Sequence, residues 1–218
     1  RPASIAVLPG TLLHPMEERH VARSYWNGTP GSGSMVPVRK RWFWILLAVL
    51  ICDGVGMYWW LGRRGENRYD AVILAAARRY SIDSALIKAV VWRESRFKAG
   101  ARGTAGEIGL MQVRSPAASE WAQAEKLNVY EHETLIDPST NTLAGAWYLA
   151  KLIKRYKGTT DKPLPYALAD YNAGRTHVLR WMTGEGRTNS SVFLSQIDYP
   201  GTRRYITAVL DRYRHYQR

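Results

Sequence analysis

The sequence predicts an all-α protein, and three observations carry that prediction. Apolar residues recur at helical spacing through most of residues 68–216. Ser115-Pro116 and Asp137-Pro138, pairs that suit helix starts, stand ahead of two of the periodic runs. Strand-like alternation is scarce, and there is no internal repeat.

Residues 1–34 are rich in Gly, Pro and Ser and end in NGTPGSGS, which reads as a disordered or non-native extension, with Met35 as the true start. Residues 35–65 join a basic stretch (Arg39, Lys40, Arg41) to an apolar run of 21 residues, 42–62. A bilayer core needs about 20 apolar residues, and Trp and Tyr prefer the two interfaces, where this run also carries them. An N-terminal transmembrane or signal helix is therefore expected, preferably an anchor, with cleavage near Gly54 and Gly56 as the alternative. Asp53 is its one acid, and Arg63 and Arg64 behind it leave the positive-inside bias weak. Cys52, the only cysteine, forms no internal disulfide, has no histidine nearby to activate it, and follows Ile51, too bulky for a lipidation signal.

Residues 66–218 have the composition of a soluble helical domain. RYDAVILAAARRY (68–80) reads as its first helix. Asp83 and Ser84 offer N-cap side chains to ALIKAVVWRES. Ser115 is the expected cap, with Pro116 at the first helical position, of AASEWAQAEKL. Asp137-Pro138 repeats the device before STNTLAGAWYLAKLIKRYK, which Gly158 can close in a left-handed conformation. LPYALADYNAG, RTHVLRWMTG and TRRYITAVLDRYRHYQ continue the helical period.

With 46% hydrophobic and 22% charged residues, the chain is neither disordered nor fibrous by composition. Its net charge of +13 favours an anionic partner: a lipid surface, nucleic acid or a cell-wall polymer. The basic and tyrosine-rich TRRYITAVLDRYRHYQR has the ingredients for single-strand binding. Yet Tyr205, Val209, Tyr213 and Tyr216 fall at helical spacing, which describes a packed terminal helix with a basic outer face, so no nucleic acid partner is expected. Metalloprotease, P-loop, nucleophile-elbow and calcium-loop signatures are absent, and the five histidines are scattered, so no metal or cofactor is expected.

That leaves carboxylates. On a wheel of about 100° per residue, Glu94 shares a face with Ile87, Val90 and Val91, while Trp92 points away. Glu94 also falls in the last turn, where the helix dipole disfavours negative charge. Both effects favour the protonated form, which is what a general acid needs. A helix-end Glu between Arg93 and Arg96 also reads as a solvated or ion-paired residue. Ser95 follows and is a candidate to orient the acid. Downstream, GEIGLMQV packs glycines, Met111 and Gln112 into a turn where backbone can approach a ligand, and Gln112 offers both a donor and an acceptor. DYNAG ends a helix with Tyr171, whose ring suits a sugar's apolar face, and Asn172, whose amide suits its polar edge. Singly, each segment is also ordinary local structure.

Taken in order, Glu94-Ser95-Arg96-Phe97, Gly109-Leu110-Met111-Gln112, Tyr171-Asn172-Ala173-Gly174 and Tyr205 within TRRYITAVL resemble the motifs of the soluble-type (SLT) lytic transglycosylases, over about residues 68–216. The resemblance implies a lysozyme-like (goose-type/SLT) helical domain that cuts the β-1,4 bond between N-acetylmuramic acid and N-acetylglucosamine in peptidoglycan without water. Glu94 would protonate the glycosidic oxygen. As a carboxylate it would then take the proton of the muramyl C6 hydroxyl, whose oxygen attacks C1 to leave a 1,6-anhydromuramyl end. Gln112, Met111, Tyr171, Asn172 and Tyr205 would line the groove, with Tyr205 holding the acetamido group or the acid. The second carboxylate that ordinary glycosidases place about 5–9.5 Å away is then unnecessary.

Three positions depart from the family pattern: Glu107 stands at a common Ala, Gly103 near a common Ser, and Gly201 where some members carry Glu. They bear on substrate preference. Glu107 or Asp170, if either reached the groove, would activate water and make the enzyme a hydrolytic muramidase like the goose-type lysozymes. Otherwise Glu107 is a loop residue in water, and Asp170 is ion-paired or hydrogen-bonded at a helix end. An inactive, basic, membrane-tethered wall-binding protein is the third reading. The partners expected are peptidoglycan strands and the inner membrane. The chain is expected to be a monomer and single-pass, with its domain in the periplasm, or to be secreted there after signal cleavage.

Overall fold

The computed structural model describes residues 38–127 and 130–218. The expectations for residues 1–34 and for Met35 lie outside the described residues. Helix α1 (Val38–Asn67) runs through the apolar segment without a break, and Trp42, Phe43, Trp44, Leu46 and Leu50 on it are exposed. Among the described residues, however, no helix is long and apolar enough to cross a membrane. The expected transmembrane helix is thus not supported by the fold.

The helices that follow are α2 (Asp70–Tyr80), α3 (Ser84–Ser95), α4 (Ser115–Ala124), α5 (Pro138–Tyr156), α6 (Pro163–Ala173), α7 (Arg175–Trp181), α8 (Ser190–Gln196) and α9 (Pro200–Tyr216). Single 3-10 turns occupy His132–Ile136 and Gly184–Arg187. Among the described residues β-structure is limited to isolated bridges, two of which, Arg102 with Ile108 and Ile108 with Val113, pin the loop between α3 and α4. The domain is all-α, as its periodicity predicts.

Side-chain caps open three of the described helices, α3, α5 and α8. Asp83 Oδ1 accepts the Ala85 N–H at 2.9 Å to open α3. Asp137 Oδ2 accepts both the N–H and the hydroxyl of Thr140 at 2.8 Å to open α5. Such a cap stabilises by about 1 kcal/mol. Gly158, at φ +83, follows the end of α5 in the expected left-handed conformation. The cap expected at Ser115 is corrected: Ser115 is itself helical, Arg114 is the N-cap, and no side chain bonds there. Pro116 still fits, because the first-turn N–H groups have no intrahelical acceptor to lose.

Helix α3 packs along α9, and α5 lies against α2, α4 and α6. Ile87, Val90 and Val91 of α3 join Tyr205, Ile206 and Val209 of α9 in the buried core, while Arg203, Arg204 and Arg214 give α9 its basic outer face. The loop at 101–113 is held from below by Asn141, fully buried near the start of α5. Asn141 Oδ1 accepts the Met111 N–H at 2.8 Å, and its Nδ2 donates to the Ile108 and Leu135 carbonyls at 2.7 and 2.9 Å. Gly109 (φ +81) passes so close that a Cβ would overlap the Asn141 amide, so both its backbone angle and its contacts require glycine.

Replacing Asn141 with Ala strands the Met111 N–H and the Leu135 carbonyl in the core, while the Ile108 carbonyl keeps the Val113 N–H at 3.0 Å. Asn141→Ala is expected to lower the unfolding free energy by about 3 kcal/mol, since each buried unpaired group costs about 1–3 kcal/mol and part of that is relieved by relaxation. Urea denaturation followed by circular dichroism measures it, and a loss below about 1 kcal/mol would contradict the clamp.

Candidate active site

Helix α3 brings Glu94 to an open groove of about 380 Å³ whose lining also includes Gln112, Tyr148, Tyr171 and Asn172. From across the core, Tyr205 of α9 donates its hydroxyl to Glu94 Oε1 at 2.6 Å. Burial pushes the Glu94 carboxyl up from an ordinary value of 4.5 to about 7, and the negative charge of Glu107 adds to the rise, against the Tyr205 hydrogen bond and the charge of Arg93, which hold it down. The apolar wall read from the wheel is real, since Ile87, Val90 and Val91 are fully buried. The chain leaves α3 through two left-handed residues, Arg96 (φ +52) and Phe97 (φ +60), and Gln112 is a third (φ +48). Left-handed conformations cost a non-glycine residue about 1–2 kcal/mol. Contacts offset this: the Arg96 guanidinium lies 3.6 Å from the Trp92 ring centre, and Phe97 is buried.

The structure assigns the residues singled out in the sequence to different tasks. Gln112, Tyr171 and Asn172 line the groove beside Glu94. Gln112 Nε2 donates to the Ala101 and Gly109 carbonyls at 3.1 and 2.9 Å, so its acceptor oxygen is the group left for a ligand. Tyr171 donates to the Met111 carbonyl at 2.8 Å, and its ring tilts against Tyr148 with centroids 5.7 Å apart. Asn172 Oδ1 accepts from Thr202 at 2.9 Å, which ties the Tyr-Asn-Ala-Gly segment to α9.

Two expectations are corrected. Met111 does not line the groove: its side chain is fully buried against Gly145, because that glycine leaves room for it beneath the loop. Ser95 does not touch the acid. It is buried, and its hydroxyl lies 2.8 Å from the Leu110 carbonyl and 3.2 Å from that of Val91, so it ties the end of α3 to the Gly-Leu-Met-Gln loop. Serine hydroxyls commonly bond back to the carbonyl four residues earlier in a helix, and here that geometry points the group away from Glu94.

Glu107 is not a loop residue in water either. It lines the groove, and its Oε2 accepts the Ala105 N–H at 3.0 Å. A Cβ at Gly103 would collide with the Glu107 side chain, so these two departures from the family pattern are sterically coupled. Asp170 is ion-paired: its Oδ2 accepts from Arg155 Nη1 and the Tyr156 hydroxyl, both at 2.7 Å. Tyr148, Arg114 and Asn141 are the residues that sequence reasoning missed. The one available signal was Gly145, an isolated glycine inside a helix, which marks a close approach. Among the described residues no group of three or more His, Cys, Asp or Glu side chains is arranged to hold a metal ion.

The fold and the site together define a helical domain with one buried, proton-holding acid, Glu94, at an open groove. The chain belongs to the transglycosylase SLT domain family, whose model matches residues 71–194. Among solved structures it is similar to an inactive mutant of the lytic transglycosylase Slt from Pseudomonas aeruginosa, with 28% identity and a TM-score of 0.60 over 67% of this chain and 23% of that one. It is also similar to the 70 kDa soluble lytic transglycosylase of Escherichia coli, with 24% identity and a TM-score of 0.61 over 68% of this chain and 24% of that one. A complex of the 70-kDa soluble lytic transglycosylase with bulgecin A matches at 24% identity and a TM-score of 0.63, over 71% of this chain and 25% of that one. The match therefore spans about a quarter of each of these longer proteins.

The raised proton affinity of Glu94 has a stability consequence. Below about pH 4.5 the carboxyl is protonated in both the folded and unfolded states, and its burial costs no charge. Between about pH 4.5 and 7 the unfolded chain gives up this proton while the folded protein keeps it, so stability falls across that window and levels off above it. Glu94→Gln removes the penalty. The variant is expected to match the native protein near pH 4 and to exceed it at pH 8 by roughly 3 kcal/mol. Chemical denaturation at the two pH values measures the difference, and no gain at pH 8 would contradict a buried, proton-holding Glu94.

Proposed function

We propose that this protein is a peptidoglycan lytic transglycosylase. The observation that carries the reading is the Glu94 carboxyl, held near its neutral form at the edge of an open groove and bonded to Tyr205. Membership of the transglycosylase SLT domain family supports the same reaction class. Glu94 donates its proton to the glycosidic oxygen between N-acetylmuramic acid and N-acetylglucosamine as that C1–O bond breaks. The resulting carboxylate, steadied by the Tyr205 hydroxyl and by Arg93, accepts the proton of the muramyl C6 hydroxyl. The C6 oxygen bonds to C1, which closes the 1,6-anhydro ring and returns Glu94 to its acid form. Tyr171 and Tyr148 offer ring surface to a sugar, while Gln112 Oε1 and the Asn172 amide offer polar partners.

A second reading rests on Glu107, which lines the same groove. If this carboxylate activates water, the enzyme is a hydrolytic muramidase and its products are reducing ends. Mass spectrometry of fragments from purified sacculi decides between the two, because anhydro ends are lighter by one water. Anhydro products are expected, and exclusively reducing ends would overturn the transglycosylase reading. Glu94→Gln is expected to reduce cleavage at least about 100-fold, the scale of general-acid catalysis, and the native rate is expected to fall as pH rises through about 7 and the acid is lost. A fully active Glu94→Gln variant would remove Glu94 from the mechanism.

By the same reading the protein works at the inner membrane with its helical domain in the periplasm, where peptidoglycan lies. The exposed apolar side chains of α1, among them Trp42, Trp44, Leu46 and Leu50, support a membrane association. Protease added to spheroplasts is expected to degrade the helical domain, and a protected domain would rule out this topology.

A further inference from the structure

One wall of the groove is more basic than acid catalysis requires. Arg114 lines the groove directly, with its side chain 62% exposed and its nearest carboxylate, Glu107, 3.8 Å away. Beside it Asp170, itself a lining residue, is 1% exposed and lies within 4.0 Å of two more guanidiniums that are not on the lining themselves. Arg155 Nη1 reaches Asp170 Oδ2 at 2.7 Å, and Arg175 Nη1 lies 4.0 Å from the same oxygen and donates to the Tyr156 hydroxyl at 3.0 Å. Arg155 and the Tyr156 hydroxyl donate to Oδ2, while Asp170 Oδ1 is buried without a hydrogen-bond partner.

One carboxylate oxygen thus bonds Arg155, and Arg175 stands 4.0 Å from it without a hydrogen bond. Each guanidinium carries five N–H donors, so most of those on Arg155 and Arg175 have no protein acceptor among the described residues, and the two side chains remain 29% and 45% exposed. Tyr148, on the same wall, is close enough to Arg155 and Arg114 to feel both charges. When Glu94 carries its proton, three guanidiniums face only two carboxylates, Glu107 and Asp170. A forked donor pair with unused N–H groups suits an incoming carboxylate, which it can bind in bidentate fashion.

We infer that Arg114, Arg155 and Arg175 form a carboxylate-binding wall that engages an anionic group carried by the muramic acid of the bound strand. The inference rests on the peptidoglycan reading and names what that site selects. Two sources supply the same chemistry. One is a carboxylate of the stem peptide, and the other is the lactyl carboxylate that is exposed once the peptide has been removed.

The test compares the full-length protein on three forms of one preparation: native sacculi, sacculi whose carboxylates are converted to neutral amides with carbodiimide and ammonia, and strands stripped of peptide by an amidase. The native protein is expected to cleave native sacculi about tenfold faster than the amidated form, the scale of a charge-assisted hydrogen bond. Arg175→Gln is expected to bring that ratio close to one. Arg114→Gln is expected to shrink it too, and it supplies the measurement should Arg175→Gln fail to fold. Equal rates for the native protein on native and amidated sacculi would overturn the inference, as would variants that keep the full ratio. On stripped strands, a retained fast rate assigns the lactyl carboxylate, and a fall to the amidated rate assigns the stem peptide. Co-sedimentation with the same three forms reads the wall without cleavage: a binding preference with no turnover would refute the enzymatic reading and leave the wall standing.

Discussion

The hydroxyl of Tyr205 meets the carboxyl of Glu94 at 2.6 Å, and the rest of the site depends on the conditions of that contact. A carboxyl taken from water and given one neutral donor holds its proton more tightly than an exposed one. To create those conditions, α3 and α9 pack side by side although the two residues stand 111 positions apart in the chain. The apolar face of α3 excludes water from one side, and the end of its dipole opposes the negative charge. The cost is accepted locally, in a destabilised carboxyl and in the left-handed residues Arg96 and Phe97 that turn the chain away just beyond it. Backbone strain of this kind persists only where surrounding contacts hold it in place.

The loop opposite is held by main-chain bonds rather than by apolar contacts alone. Asn141 grips it from α5, Ser95 from the end of α3, and Tyr171 from the end of α6, and their bonds fall on Ile108, Leu110 and Met111 within four consecutive residues. Three helices are thereby joined to one short segment, which fixes where Gln112 stands relative to Glu94. Asn172 extends the scheme by bonding Thr202, three residues ahead of Tyr205. The motifs that look like separate signatures along the chain are thus parts of a single hydrogen-bonded assembly. The same view explains how the loop tolerates an acid at 107: the glycine at 103 leaves the space that the Glu107 side chain fills.

Much of this was legible in the linear sequence for a physical reason: helices are local. The 3.6-residue period, the Asp83 and Asp137 caps and the glycine after α5 involve residues only a few positions apart, and all appear where they were read. Ser115 stands one position inside α4 because a serine ahead of a proline fits either the cap or the first turn. Met111 and Ser95 differ from expectation for another reason. Whether a loop side chain points to a groove or a core depends on what stands behind it, and here that is Gly145 for the first and the Leu110 carbonyl for the second. Both partners lie on other segments. Tyr148, Arg114 and Asp170 gain their significance in the same way, by arriving at one wall from three elements.

By itself, then, the sequence determined the helical class, most of the helix boundaries and the apolar surroundings of Glu94, because each follows from spacing along one helix. Only the tertiary structure decided that Tyr205 would be the partner of that acid, that Met111 would support the loop from within, and that Arg155 would pair with Asp170 at the groove wall. Those outcomes depend on how α3, α5, α6 and α9 pack, and packing brings together residues that no local period relates.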